Sequence, residues 1–130
     1  MIVVCIGGCF APIHSGHIDF IKAAKQLGDK LVVVLCPDSH QISKRGFIFM
    51  DYSNRKTVLE AIKYVDEVVP NIDTDNTMAK SLRLVKPHIF AIGGDWNRDN
   101  VPKSELESAI AIGCKVIFNV GGPKRIYLEK

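Results

Sequence analysis

Two histidines, His14 and His17, flank a Ser-Gly pair in the segment Gly7-Gly8-Cys9-Phe10-Ala11-Pro12-Ile13-His14-Ser15-Gly16-His17. An apolar run precedes this segment and a helical pattern follows it, so it reads as a glycine-rich turn from a strand into a helix. Such a turn is an anion site, because free backbone N–H groups and the helix dipole both favour negative charge there. Gly16 carries no side chain to obstruct an approaching phosphate. In either protonation state each imidazole can donate an N–H to a phosphate oxygen, which suits stabilising charge on a phosphorus under attack. A single histidine at a helix start would be read as a cap or a packing residue; two framing a glycine point to chemistry. The segment is not a P-loop, since no Gly-Lys-Ser/Thr follows, and it lacks the G-x-G-x-x-G spacing of dinucleotide sites. Cys9, His14 and His17 are competent zinc ligand types, but no second cluster completes a metal site, and no protein-held metal is expected.

The elements that must position these residues follow from periodicity. Ile2 to Ile6 reads as a buried strand ending in Gly7-Gly8. His17 to Leu27 reads as a helix with Ile18, Ile21, Ala24 and Leu27 on one face, stopped by Gly28. Leu31 to Leu35 is a second strand. Cys36 to Met50 lacks clean periodicity and is long for a connection, which marks it as a functional loop. Further along come a helix over Ser53 to Tyr64 burying Val58, Leu59 and Ile62, and a strand over Asp66 to Val69. Next are a helix over Thr77 to Val85 capped by Asp75 or Asn76, and a strand over Ile89 to Ile92. The pattern ends with a helix over Ser104 to Ile112 and a strand over Lys115 to Phe118.

Buried strands joined by helices imply parallel pairing with right-handed crossovers. The expected fold is one domain, α/β, with a doubly wound sheet of five parallel strands. Ligands in such sheets bind beyond the carboxyl ends of the strands, where the strand order reverses. Three strand ends carry glycine pairs: Gly7-Gly8, Gly93-Gly94 and Gly121-Gly122. If they face one crevice, they suit a single phosphate-bearing ligand.

Composition narrows the function classes. The 130 residues are 47% hydrophobic and 24% charged, which excludes a disordered chain. The net charge of +3 is too mild to argue for nucleic acid or a membrane surface. The longest apolar run, Leu31 to Cys36, falls far short of the roughly 20 residues of a membrane span. No secretory signal is expected. Cys5, Cys36 and Cys114 lie in or beside apolar segments, and the four cysteines read as reduced thiols of a cytoplasmic protein.

The segment Gly8 to His17 resembles the signature of the cytidylyltransferase-like nucleotidyltransferases. The resemblance extends to Arg55-Lys56-Thr57-Val58-Leu59-Glu60-Ala61-Ile62-Lys63-Tyr64-Val65-Asp66-Glu67-Val68-Val69, which is similar to the corresponding helix and strand of glycerol-3-phosphate cytidylyltransferases. Lys86-Pro87-His88-Ile89-Phe90-Ala91-Ile92-Gly93-Gly94-Asp95-Trp96 is similar to their fourth strand and loop, and to those of the heptose-phosphate adenylyltransferases. Together these cover residues 2 to about 122.

The resemblance implies a Rossmann-like fold and a direct transfer of CMP, or AMP, from CTP or ATP to a phosphorylated sugar, polyol or similar acceptor. Pyrophosphate is released, and a divalent metal, usually Mg2+, accompanies the triphosphate. It implies that His14 and His17 stabilise the transition state at the α-phosphate. Gly8, Cys9 and Phe10 contact the nucleotide through their backbone, as does the Gly93 turn. By the same resemblance Lys44, together with Arg45, closes over the phosphates, and Arg55 reaches the phosphates or holds that loop. Asp95 contacts the ribose or base. The resemblance also implies a homodimer.

Two departures support an alternative. Ala11 stands where this branch usually has aspartate. After the fifth strand the relatives carry a Ser/Thr-rich motif, whereas Gly121 to Lys130 contains neither residue; Lys124 and Arg125 are candidate phosphate cations in its place. The alternative is a nucleotide-binding module of the same fold that has lost turnover.

Overall fold

A computed structural model describes residues 1–94 and 96–122 of the chain. The elements run β1 (Val3–Gly8), α1 (Ser15–Lys25), β2 (Lys30–Leu35), α2 (Asp38–Arg45), α3 (Tyr52–Glu60), β3 (Glu67–Pro70), α4 (Ala79–Val85), β4 (Ile89–Ala91), α5 (Lys103–Ala111) and β5 (Lys115–Ile117). The strands form one parallel sheet in the order β3-β2-β1-β4-β5. Each connection between neighbouring strands carries at least one helix, which is what parallel pairing requires. From β1 the chain winds outward through β2 to β3, then returns to the other side of β1 for β4 and β5. The strand order therefore reverses between β1 and β4, where a crevice opens at the carboxyl ends.

Strand side chains alternate between two apolar layers, as the two-residue period demands. Val4, Ile6, Leu31, Val33 and Leu35 pack against Ile21 and Ala24 of α1 and Leu59 of α3. Cys5, Val34 and Phe90 pack on the opposite face against Leu82 of α4 and Ala109 of α5. Each fully buried aliphatic side chain contributes about 1.5–3 kcal/mol, so both faces are committed to the core and the sheet cannot slip by one residue without inverting them. No helix of the described residues is long and apolar enough to cross a membrane.

Several sequence expectations need correction. Residues 38–45, expected to be irregular, form α2. Its buried residues are His40 and Gln41, while its one large apolar residue, Ile42, is 51% exposed. A helix that buries a polar face leaves no hydrophobic period to detect. The Gln41 amide explains the burial: Nε2 donates to the Met50 carbonyl at 2.6 Å, and Oε1 accepts from Phe49 N–H at 3.0 Å. Helix α3 ends at Glu60 rather than Tyr64; it buries Arg55 and Leu59, and Val58 faces outward. Helix α4 begins at Ala79, after a turn in which Asp75 Oδ1 accepts from Thr77 N–H and Thr77 Oγ1 accepts from Ala79 N–H. Strand β1 continues through Gly7 and Gly8.

Candidate active site

His14 is the N-cap of α1, with extended backbone at φ −145° and ψ 178°, and His17 is the third residue of the helix. Three residues apart at a helix start, they close a local ring of bonds. The His14 carbonyl accepts from His17 N–H at 2.9 Å, and His14 N–H donates to His17 Nδ1 at 3.2 Å. The second bond is the reciprocal half of a capping box, made here by an imidazole. Because His17 Nδ1 accepts, the ring proton of its neutral form sits on Nε2, which becomes an N–H donor. The two rings stack with centroids 3.9 Å apart and planes 25° from parallel. Phe10 braces His17 edge-on at 5.1 Å. Phe10 itself holds φ +51°, a left-handed conformation that costs a bulky residue about 1–3 kcal/mol and tends to be kept where geometry matters.

The histidines face a cavity of about 600 Å³ at the carboxyl ends of β1 and β4. All three glycine pairs line it, as do Cys9, Phe10 and Gly16. The turns after β4 and β5 meet closely: a Cβ on Gly94 would stand 2.5 Å from the Gly122 carbonyl oxygen and 2.9 Å from Asn119 Oδ1. Gly94→Ala must therefore push the two turns apart, an overpacking cost of about 1–3 kcal/mol. The variant is expected to melt several degrees below the parent. Unchanged melting would show that the two turns are not packed against each other.

Lys44 lies near the end of α2 and lines the cavity. Arg45 points elsewhere in the same region: its Nη1 donates to the Ala11 carbonyl at 2.5 Å, tying α2 to the turn after β1. Ala11 is buried beneath that contact. Arg55 does not line the cavity. Its side chain is 0% exposed. Nη1 donates to the carbonyls of Cys9 (3.0 Å) and Cys36 (2.7 Å), Nε to that of Met50 (2.9 Å), and Nη2 to Asp38 Oδ1 (2.8 Å). One guanidinium thus gathers the ends of β1 and β2, the start of α2 and the segment before α3. Gly93 lines the cavity beside Trp96. Asp95, Lys124 and Arg125 lie outside the described residues.

Sequence reasoning missed Glu105, which lines the cavity from the first turn of α5 although it is only 8% exposed. Burial pushes its carboxyl pKa up, against the Met78 N–H that donates to Oε2 at 3.1 Å. No local signal marks it; only the packing of α5 on α4 brings it to the wall. Among the described residues no group of three or more His, Cys, Asp or Glu could hold a metal ion.

A model of the family described as cytidylyltransferase-like matches residues 5–116 of the chain. The chain is 40% identical over 91 residues to the glycerol-3-phosphate cytidylyltransferase of Bacillus subtilis, covering 68% of each protein. It is 35% identical over 115 residues to the FAD synthase of Pyrococcus horikoshii, covering 88% of this chain and 77% of the relative. A crystal structure of the lipopolysaccharide core biosynthesis protein from Thermoplasma volcanium superposes with a TM-score of 0.78 at 32% identity, covering 97% of this chain and 99% of that one. The family resemblance seen in the sequence and the Rossmann-like fold it implied are both borne out.

Proposed function

The chain belongs to the cytidylyltransferase-like family, and from that premise we propose that it transfers CMP or AMP from CTP or ATP to the phosphate of a sugar, polyol or similar small acceptor. The observation that carries this reading is the stacked His14–His17 pair, held by its own cap at a cavity where three glycine-lined strand ends converge.

In the proposed reaction an acceptor phosphate oxygen attacks the α-phosphorus. The bond from that phosphorus to the bridging oxygen breaks, and pyrophosphate leaves with the bond electrons. His17 Nε2–H donates to an α-phosphate oxygen as charge builds, and His14 does the same from the N-cap. Backbone N–H groups of the Gly8–Phe10 turn and the start of α1 meet the triphosphate. Lys44 neutralises its outer charge, while Arg55 acts at one remove by holding the Cys9 carbonyl. Magnesium bound with the triphosphate supplies charge neutralisation on the phosphate oxygens.

The relatives named above support nucleotidyl transfer and divide over the base. We keep CTP first, because the Arg55 segment is similar to that of the cytidylyltransferases. The test is pyrophosphate release from CTP and ATP, each with magnesium and a panel of sugar, polyol and related phosphates. Turnover with one pair is expected. Nucleotide-dependent thermal stabilisation with no turnover by any pair would favour the module without activity, the reading supported by Ala11 and by the absence of Ser and Thr from Gly121 to Lys130. A homodimer belongs to the same proposal and is read by light scattering as twice the chain mass.

A further inference from the structure

Cys9 and Cys36 occupy matching places one residue beyond the paired ends of β1 and β2, where Gly8 lies opposite Leu35. The register continues past the strands, since Cys36 N–H donates to the Gly8 carbonyl at 3.1 Å. Neighbouring strands lie about 4.7–4.9 Å apart, inside the Cα separation of about 4.4–6.8 Å that a disulfide spans. Arg55 Nη1 bridges the same two residues, donating to the Cys9 carbonyl at 3.0 Å and to the Cys36 carbonyl at 2.7 Å. Both residues line the cavity, Cys9 half-buried and Cys36 buried.

The surroundings activate one of the two sulfurs. The neighbouring Cys36 thiol, with Lys44, Arg55 and His40 nearby, outweighs burial and holds the Cys9 thiol well below its ordinary value, at about 6. The same pairing, together with burial, raises Cys36. Burial also raises Cys5 and Cys114. A low-lying, accessible thiolate beside a second thiol is the arrangement of a peroxide-sensitive pair.

We propose that Cys9 and Cys36 form a thiol-oxidation site in the cavity wall, which hydroperoxides convert to a disulfide that ties the turn after β1 to the turn after β2. The Cys9 thiolate attacks the outer peroxide oxygen. The O–O bond breaks, and the leaving oxygen departs as hydroxide or alkoxide and takes up a proton, leaving Cys9 as a sulfenic acid. The Cys36 sulfur then attacks the Cys9 sulfur. The S–O bond breaks, and the hydroxide leaves as water with the Cys36 proton. Two thiols have lost two electrons and one peroxide has gained them. The bond draws the sulfurs to about 2.05 Å and immobilises the turn that carries Phe10 towards His17. The thiol chemistry stands apart from the nucleotidyltransferase reading; one consequence rests on that reading, that the oxidised chain, its Phe10 turn fixed, shows smaller CTP and ATP thermal shifts than the reduced chain.

The test is peptide mass mapping of the full chain after hydrogen peroxide. The expected result is a chain two hydrogens lighter and a linked Cys9–Cys36 peptide. Alkylatable thiols in the unfolded chain fall from four to two, and dithiothreitol restores them. Cys36→Ser is expected to stop at a Cys9 sulfenic acid trapped by a cyclic diketone. A different linked pair, or free thiols at both positions, overturns the proposal. Should Cys36→Ser fail to fold, iodoacetamide labelling of the parent decides. Cys9 is expected to react about tenfold faster than the other cysteines at pH 7, with its rate rising through pH about 6; equal rates overturn it. CTP and ATP thermal shifts on oxidised and reduced chain complete the test. A linked pair in a chain that binds neither nucleotide defeats the proposed function and leaves this site standing; shifts from nucleotide without a linked pair do the reverse.

Discussion

Alanine in place of His17 is expected to lower the turnover number of the proposed pyrophosphate release about 10²–10³-fold, the usual effect of removing one donor aimed at developing charge. The KM for nucleotide should change little, because an N–H that matters most as charge builds on the α-phosphate contributes mainly to the transition state. His17 also has a structural duty, since its Nδ1 accepts the His14 N–H at 3.2 Å. His17→Asn separates the two roles. The asparagine Oδ1 sits where Nδ1 was and can take the same N–H, but no donor remains at the Nε2 position. It is expected to melt closer to the parent than His17→Ala while being as slow. Because the two rings stack at 3.9 Å, removing both should cost less than the product of the single losses. Turnover of His17→Ala within threefold of the parent would remove the imidazole from the proposed chemistry.

The second large effect is on stability. Arg55→Ala is expected to cost about 3–5 kcal/mol, the range for breaking a buried charge pair, read as a lower midpoint in urea unfolding. The fully buried guanidinium serves the carbonyls of Cys9, Cys36 and Met50 and the carboxylate of Asp38. Removing it leaves these acceptors without a donor that water cannot easily replace, since a buried unsatisfied group costs about 1–3 kcal/mol. Arg55→Met, which keeps much of the bulk, should be nearly as damaging, because the acceptors stay. Arg55→Lys should fall between, since one ammonium cannot reproduce the planar fork. Activity should fall alongside stability, because the Cys9 turn loses its anchor. A loss below about 1 kcal/mol would be the size of an ordinary surface pair and would rule out the clamp.

The parts of this protein legible in its sequence are those built from near neighbours. The His14-Ser15-Gly16-His17 turn could be read because a helix start is made by residues three apart, and the structure keeps the two histidines where that geometry predicts. The apolar runs of β1, β2 and β4 announced a parallel sheet because strands buried on both faces need no polar alternation. Helix α2 stayed hidden because it buries His40 and Gln41 instead of an apolar stripe. Arg55 could be singled out through the family resemblance of its segment, but its burial could not, since the groups that it bonds come from residues 9, 36, 38 and 50.

The sequence by itself therefore determined the class of fold, the helix start that carries the imidazoles and the glycines that end the strands. Only tertiary structure decided that those ends share one cavity, that Arg55 is a buried clamp, that Glu105 stands in the wall and that Cys9 and Cys36 lie at matching ends of paired strands. The physical reason is range. Periodicity and capping are settled within one or two turns of chain, whereas these juxtapositions depend on strand order and register, which bring together residues tens of positions apart.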